Sequence, residues 1–291
     1  MNSKIIINTL VSGIISGSLY AMMTVGLTMI YGVVKLFNFG HGLVAVLGGY
    51  LAWLLLVQMG LPVVISIILA SVAMFFFGWA LFRTTLAPLI KRPDWENLSI
   101  FFLIGIGMIM ENGMLQIFGP RIKNLPRFID GRIKLGLLRV NTHDLLLIVV
   151  VLVIFILIGL YLKKTWTGRC MQAVAQQMDG ARVVGINVNR TFALAFALGT
   201  AVTAFSGILL ATKYSLTPTA GWSWMFRGFV VVALGGLGSV SGSIVAAYIL
   251  GVAEAFITLY LNTTWVYPAW FIIFVIILVT RPQGIMGGRA D

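Results

Sequence analysis

The sequence predicts an all-α integral membrane protein, a polytopic bundle of about eight or nine transmembrane helices with glycine-rich breaks. Three observations carry this. Of 291 residues, 60% are hydrophobic and 10% are charged, where an average soluble domain has about 25% charged residues. Mean hydropathy is +1.03. The apolar residues also fall in runs near the ~20 residues that one spanning helix needs. A soluble enzyme or DNA-binding domain is thereby excluded. No large extramembrane domain fits, so residues 1–291 read as a single transmembrane domain.

The first apolar run is Ile5 to Val34. It exceeds the ~7–15 residues of a secretory signal's apolar core, so it reads as a retained, tilted or bent helix. Gly13 and Gly17 stand at the spacing that lets a neighbouring helix approach closely. A break follows at Lys35-Leu-Phe-Asn38-Phe-Gly40-His41-Gly42. Further spans read as Leu43–Met59, Pro62–Phe82, Leu98–Phe118, Leu145–Leu162 and Thr191–Thr212. The stretch from Phe226 to Leu261 is too long for one span and is interrupted by Gly235-Gly236-Leu-Gly238-Ser-Val-Ser-Gly242. Such a run is a broken helix or re-entrant turn bordering a transport path, or a tight interhelical packing site. Whether this stretch crosses twice or enters and returns decides the side on which Arg281 and Arg289 both lie, and the sequence leaves that open. The last span is Trp265–Thr280. A glycine-rich break followed by an apolar helix thus occurs once in each half, as in a weak internal repeat.

The net charge of +12 belongs to loops, where basic residues set topology and meet lipid headgroups. Residues 120–142 carry Arg121, Lys123, Arg127, Arg132, Lys134 and Arg139, and residues 163–190 carry Lys163, Lys164, Arg169, Arg182 and Arg190. One span separates the two loops, so they face opposite sides and charge alone leaves orientation open. In the first loop, Asp130-Gly131 between short alternating runs predicts a hairpin. In the second, Met171, Val174, Met178 and Ala181 recur at helical spacing, predicting a short amphipathic helix that rests on headgroups or docks a partner.

The chain has no phosphate-binding G-x-x-x-x-G-K-[ST] run and no H-E-x-x-H, Cys/His cluster or G-x-S-x-G. With Cys170 alone, no intrachain disulfide is possible. Polar groups inside spans are costly and mark function by default. Glu111, Glu254, Asn38 and His41 are these candidates; the alternative for a glutamate is a pair with a neighbouring helix or a protonated hydrogen bond to a carbonyl, and for His41 a simple interfacial histidine. They are too scattered for catalysis, so no catalytic or metal site is expected.

Four ordered stretches then resemble one family. Gly26-Leu-Thr-Met-Ile-Tyr-Gly-Val-Val-Lys-Leu-Phe-Asn-Phe-Gly-His-Gly42 resembles the first signature of the LivH-type permeases. The stretch from Thr167 to Arg190 resembles their coupling loop. Ala233-Leu-Gly-Gly-Leu-Gly-Ser-Val-Ser-Gly, followed by Leu250-Gly-Val-Ala-Glu254, resembles another signature, and Arg281-Pro-Gln-Gly-Ile the closing motif. These permeases serve ATP-driven importers of branched-chain amino acids and related small polar solutes, in the bacterial inner membrane. The resemblance implies a second homologous permease (LivM type), two cytoplasmic ATPase subunits that hold ATP and Mg, and a periplasmic substrate-binding protein. No cofactor on this chain and no nucleic-acid partner are implied. Gly168, Arg169, Met171, Val174, Met178, Ala181 and Gly185 would then couple to an ATPase. Asn38, His41, Glu111, Gly235, Gly236, Gly238 and Glu254 would border the path. Arg127, Arg132 and Lys134 would meet an acidic face of the binding protein. Urea and short amides are alternative solutes, and an ion-coupled carrier using Glu111 or Glu254 is the rival mechanism. The chain departs from the family pattern at Gly40, Gln177 and Gly180; the last is expected to shorten or bend the coupling helix.

Overall fold

The computed structural model describes residues 3–135, 138–281 and 283–286. Helix α1 spans Ser3–Val34 without interruption. In lipid a helix must satisfy its own backbone hydrogen bonds, so it continues through its glycines. It stops at Lys35, which adopts a left-handed conformation (φ +59°) while its N–H donates to Tyr31 O at 2.9 Å. Helix α2 is His41–Trp53, extended by a π turn to Gln58. Helix α3, Val63–Leu81, continues through a second π turn into the short α4, Ala87–Leu89. Then come α5 (Trp95–Phe118), strands β1 (Arg132–Leu135) and β2 (Leu138–Asn141), and α6 (Thr142–Lys164). Two short helices follow, α7 (Trp166–Gln176) and α8 (Met178–Val183). The chain closes with α9 (Val188–Ala211), α10 (Ala220–Gly235), α11 (Val240–Leu261) and α12 (Val266–Thr280). Among the described residues, eight helical stretches are long and apolar enough to span a membrane, and α10 is a shorter apolar helix.

Helix α9 is the centre of the bundle: 72% of its apolar window is buried, against 11% for α6 at the periphery. Its small residues make this possible. Gly199 meets Gly26 and Ile30 of α1, Thr200 meets Gly78 of α3, and Gly207 meets the Ala45 backbone of α2. Close backbone approach of this kind is how helices associate where lipid removes the hydrophobic drive. Helix α11 runs antiparallel to α1, with Gly13 against Val252 and Gly17 against Tyr248. The expected close approach at Gly13 and Gly17 is present.

Two ends of the bundle are distinct. One carries β1 and β2. The other carries α7 and α8, where Val33, Val34, Phe82, Met171, Val174 and Phe192 share one apolar cluster. The turn Gly236–Ser239 lies at this second end: Gly238 sits against Gly32, and Ile285 and Met286 donate to Leu234 O and Gly235 O at 2.7 and 3.1 Å. So α10 arrives at the α7 end, α11 leaves it and α12 returns. Segment 212–219 and the shorter α10 together make one pass, which with the eight long apolar stretches gives nine among the described residues.

The glycine-rich segment 235–242 is a turn at the end of the bundle, and of its two expected readings the close-packing one is present: Gly235 packs on Gly242 and Gly236 on Gly284. The segments that lead the chain inward from the ends of the bundle are 35–40 and 212–219. The first carries the chain inward, so that α2 begins beside the middle of α5, with Gly40 against Leu103 O and Gly107. The second lets α10 begin beside the start of α2, with Gly221 against Leu43. The hairpin forms away from the expected Asp130-Gly131. Arg132 pairs with Asn141 and Leu135 with Leu138, so the connection is 136–137, outside the described residues. Gly131 closes the open end of the ladder, its carbonyl accepting from Thr142 N at 3.1 Å. The Gly136-Leu137 pair is itself a two-residue hairpin signal that the Asp-Gly pair overshadowed.

Candidate functional site

Glu254 lies on α11 at the level of Tyr20 of α1. The Tyr20 hydroxyl donates to the Glu254 carboxylate, 3.0 Å from each oxygen. Arg227 of α10 brings Nη2 to 3.5 Å from Oε1. Its guanidinium is sandwiched between aromatic rings, 5.5 Å from the Tyr20 centroid and 5.2 Å from that of Tyr267. Arg227 Nε is buried without a hydrogen-bond partner among the described residues. The hydroxyl chain continues: Tyr214 lies 3.4 Å from Tyr20 and 3.3 Å from Ser16. Next to it, Lys213 Nζ stands 3.8 Å from Asp144. Burial pushes the Lys213 ammonium below the ordinary lysine range, while Asp144 and, more weakly, Glu254 pull it back up. Four charged side chains from α6, α10, α11 and the 212–219 segment therefore converge, two of each sign. Arg227 is buried and the other three are half-buried, and each is paired, as charges withdrawn from water must be.

The other predicted path residues lie apart from this cluster. His41 is fully buried at the start of α2, with Nε2 3.1 Å from Met23 O and 2.8 Å from Thr203 Oγ1. The Met23 carbonyl can only accept, so Nε2 carries the proton. Asn38 is buried too, and its Oδ1 accepts from Gly40 N at 3.1 Å, closing the turn into α2. Glu111 of α5 accepts from Trp222 Nε1 at 2.7 Å and so ties α5 to the start of α10. Gly235, Gly236 and Gly238 occupy the turn at the α7 end.

At that end, α7 begins with a side-chain cap, Thr165 Oγ1 accepting from Gly168 N at 3.0 Å. The expected single amphipathic helix is two helices. The break is at Gln177 (φ −152°, ψ 106°), not at Gly180, which lies within α8. Gln177 N still donates to Ala173 O and its carbonyl accepts from Ala181 N, so the kink keeps its hydrogen bonds. Of the residues expected to couple, Gly168, Met171, Val174 and Ala181 are buried against the bundle. Arg169, Met178 and Gly185 are exposed. The face turned away from the bundle is apolar at Trp166, Val183 and Val184, which are 75%, 87% and 74% exposed.

A family model described as "Branched-chain amino acid transport system / permease component" matches residues 9–280. The chain belongs to this permease family. Among similar proteins, the high-affinity branched-chain amino acid transport system permease protein BraD of Pseudomonas aeruginosa is 30% identical, over 96% of this chain and 94% of that protein. The corresponding LivH of Salmonella typhimurium is 29% identical over 95% and 94%. A probable LivH of Methanocaldococcus jannaschii is 28% identical over 94% and 90%. As a branched-chain permease component, the chain is a multi-pass inner-membrane transport subunit and not an enzyme.

Sequence reasoning found Glu254 but missed its partners. Arg227 directly follows Phe226, where the apolar run was taken to begin, and so passed for flanking charge. Its place between Tyr20 and Tyr267 depends on α10 starting at Ala220, six residues earlier than the hydropathy suggests. In this permease the hairpin-end loop is held by a two-residue bridge, Lys123 with Leu216, and by His143. The imidazole accepts from Phe128 N at 3.3 Å through Nδ1 and reaches Thr212 Oγ1 at 2.9 Å through Nε2. Arg127 and Arg132 are exposed on this end. Lys134 lies in β1, and its side chain is outside the described residues.

Proposed function

We propose that the chain is one of two permease subunits of an ATP-driven importer for branched-chain amino acids. A LivM-type permease would complete the membrane part, two ATPase subunits would bind ATP and Mg, and a periplasmic binding protein would deliver the solute. The family match over residues 9–280 carries this reading. The exposed apolar face of Trp166, Val183 and Val184 supports it, because a rigid amphipathic element with a bare face suits docking of a soluble subunit. The α7 end is then cytoplasmic and the hairpin end periplasmic. The pairing of Glu254 with Arg227 favours this over a lone carboxylate proton carrier.

Purification of a tagged chain from its native membrane in mild detergent should recover two ATPases and a second permease. Recovery of the chain alone, with leucine uptake that ignores ATP and collapses with a protonophore, would reject the importer. Val183→Asp is expected to weaken ATPase docking by about 2 kcal/mol, a loss of roughly thirtyfold in affinity. Co-purified ATPase and ATP-driven leucine uptake should fall together while the permease keeps its melting temperature. At the other end, reversing Arg127, Arg132 and Lys134 to Glu should slow association of the loaded binding protein at low ionic strength and less so at high salt. Unchanged association kinetics would remove the hairpin from the docking surface.

A further inference from the structure

Helix α1 carries a polar stripe inside an otherwise apolar span. Asn8, Ser12 and Ser16 recur every four residues and so share one face. Polar side chains within a membrane helix face protein or a water-filled cavity. Here they border a cavity of about 740 Å³ that is open at the hairpin end, within the ~300–1,000 Å³ of small-molecule sites. Lys213, Glu254 and Thr258 line it too. Ser3 to Ser16 is about 20 Å along the helix axis, so the stripe leads from the hairpin end down to the Tyr214–Tyr20–Glu254 hydroxyl chain.

The geometry points to a water-filled binding vestibule for a zwitterionic α-amino acid, its carboxylate on Lys213, its ammonium on Glu254 and its apolar side chain toward Ile5 and Leu259. This inference rests on the importer reading and adds the site and the charge pattern it selects. The four converging charges cancel: Lys213 and Arg227 against Asp144 and Glu254. A solute carrying a single charge would engage only one of Lys213 and Glu254. A dipolar solute adds no net charge and presents both signs at once. Lys213 has three donors and Asp144 engages the ammonium from one direction at 3.8 Å, leaving donors for the cavity. Urea and short amides would find hydroxyls but would leave both charged ends unused. Ile5 and Leu259 give the wall its apolar patch.

Three single-cysteine variants of the full chain test this, each with Cys170→Ser: Ser12→Cys, Thr258→Cys and, on the lipid-facing side of α6, Ile156→Cys. Right-side-out vesicles holding the chain with its partners are treated with a cationic, membrane-impermeant methanethiosulfonate. Both vestibule cysteines should react quickly and the α6 cysteine should not. L-leucine well above its half-protecting concentration should slow the reaction about tenfold, by simple occupancy. Leucinamide, which lacks the carboxylate, 4-methylpentanoate, which lacks the ammonium, and urea should not protect. Failure of both vestibule positions to react means lipid or protein fills the cavity and overturns the proposal. Reaction without protection by leucine, or equal protection by leucinamide or urea, also overturns it. ATP-driven leucine uptake by the same vesicles is scored separately. Protection without ATP-driven uptake would sink the importer reading and leave the vestibule standing; uptake without protection would do the reverse.

Discussion

Glu254→Ala is expected to destabilise the protein by about 3–5 kcal/mol, because it leaves the Arg227 guanidinium buried without its counter-charge. The guanidinium cannot shed its proton, and its remaining neighbours are the ring faces of Tyr20 and Tyr267. Arg227→Met should cost less, about 1–3 kcal/mol. A carboxyl that loses its counter-charge can take up a proton, and Tyr20 still meets it. The double variant Arg227→Met/Glu254→Leu should recover to within about 1–2 kcal/mol of the native protein, since apolar replacements of a buried pair are tolerated. Thermal unfolding of the detergent-purified protein reads all three. Equal losses for the two single variants, or a double variant no better than Glu254→Ala, would show that the pair does not act as a unit.

Gly207→Ala is the second large effect, and it acts on packing. A Cβ at Gly207 would fall inside the Ala45 backbone of α2. No rotamer change can relieve a clash with backbone, so α2 and α9 would have to separate. The cost should exceed the ~1–3 kcal/mol of ordinary overpacking. Gly105→Ala on α5 is the matched control: nothing lies within 4 Å of its new methyl group, and helix propensity favours alanine by about 1 kcal/mol. Fluorescence-detected gel filtration should show Gly207→Ala aggregated and Gly105→Ala as a single peak. Similar profiles would mean that the α2–α9 seam can slide.

The bundle was legible because lipid imposes one strong rule: backbone polar groups must be satisfied within each helix, so apolar length translates into spans. That reasoning placed α3, α5, α6, α9 and α12 to within a few residues. It was weaker where protein surrounds the backbone. The inward segments 35–40 and 212–219 break no rule there, and hydropathy does not separate a half-depth start such as Ala220 from a span edge. Helical spacing likewise identified the apolar face of α7 but not what covers it. Met171 and Val174 turned out to face their own bundle, and the bare face is Trp166 with Val183 and Val184. The charge cluster was half visible. Glu254 stood out inside a span, whereas Arg227, Tyr20 and Lys213 became members only when four distant segments met.

Helix α1 has a mechanical consequence. It is 32 residues of uninterrupted helix, about 48 Å long, and its last turn shares an apolar cluster with Met171 of α7. Halfway along sits Tyr20, and its other half forms the wall that holds Asn8 and Ser12. A displacement delivered to α7 has no joint along this helix in which to dissipate. In the proposed importer such a displacement would reach the Glu254 carboxylate through Tyr20 and the mouth of the cavity through the same helix, so the opening at one end and the push at the other would be strokes of a single piston.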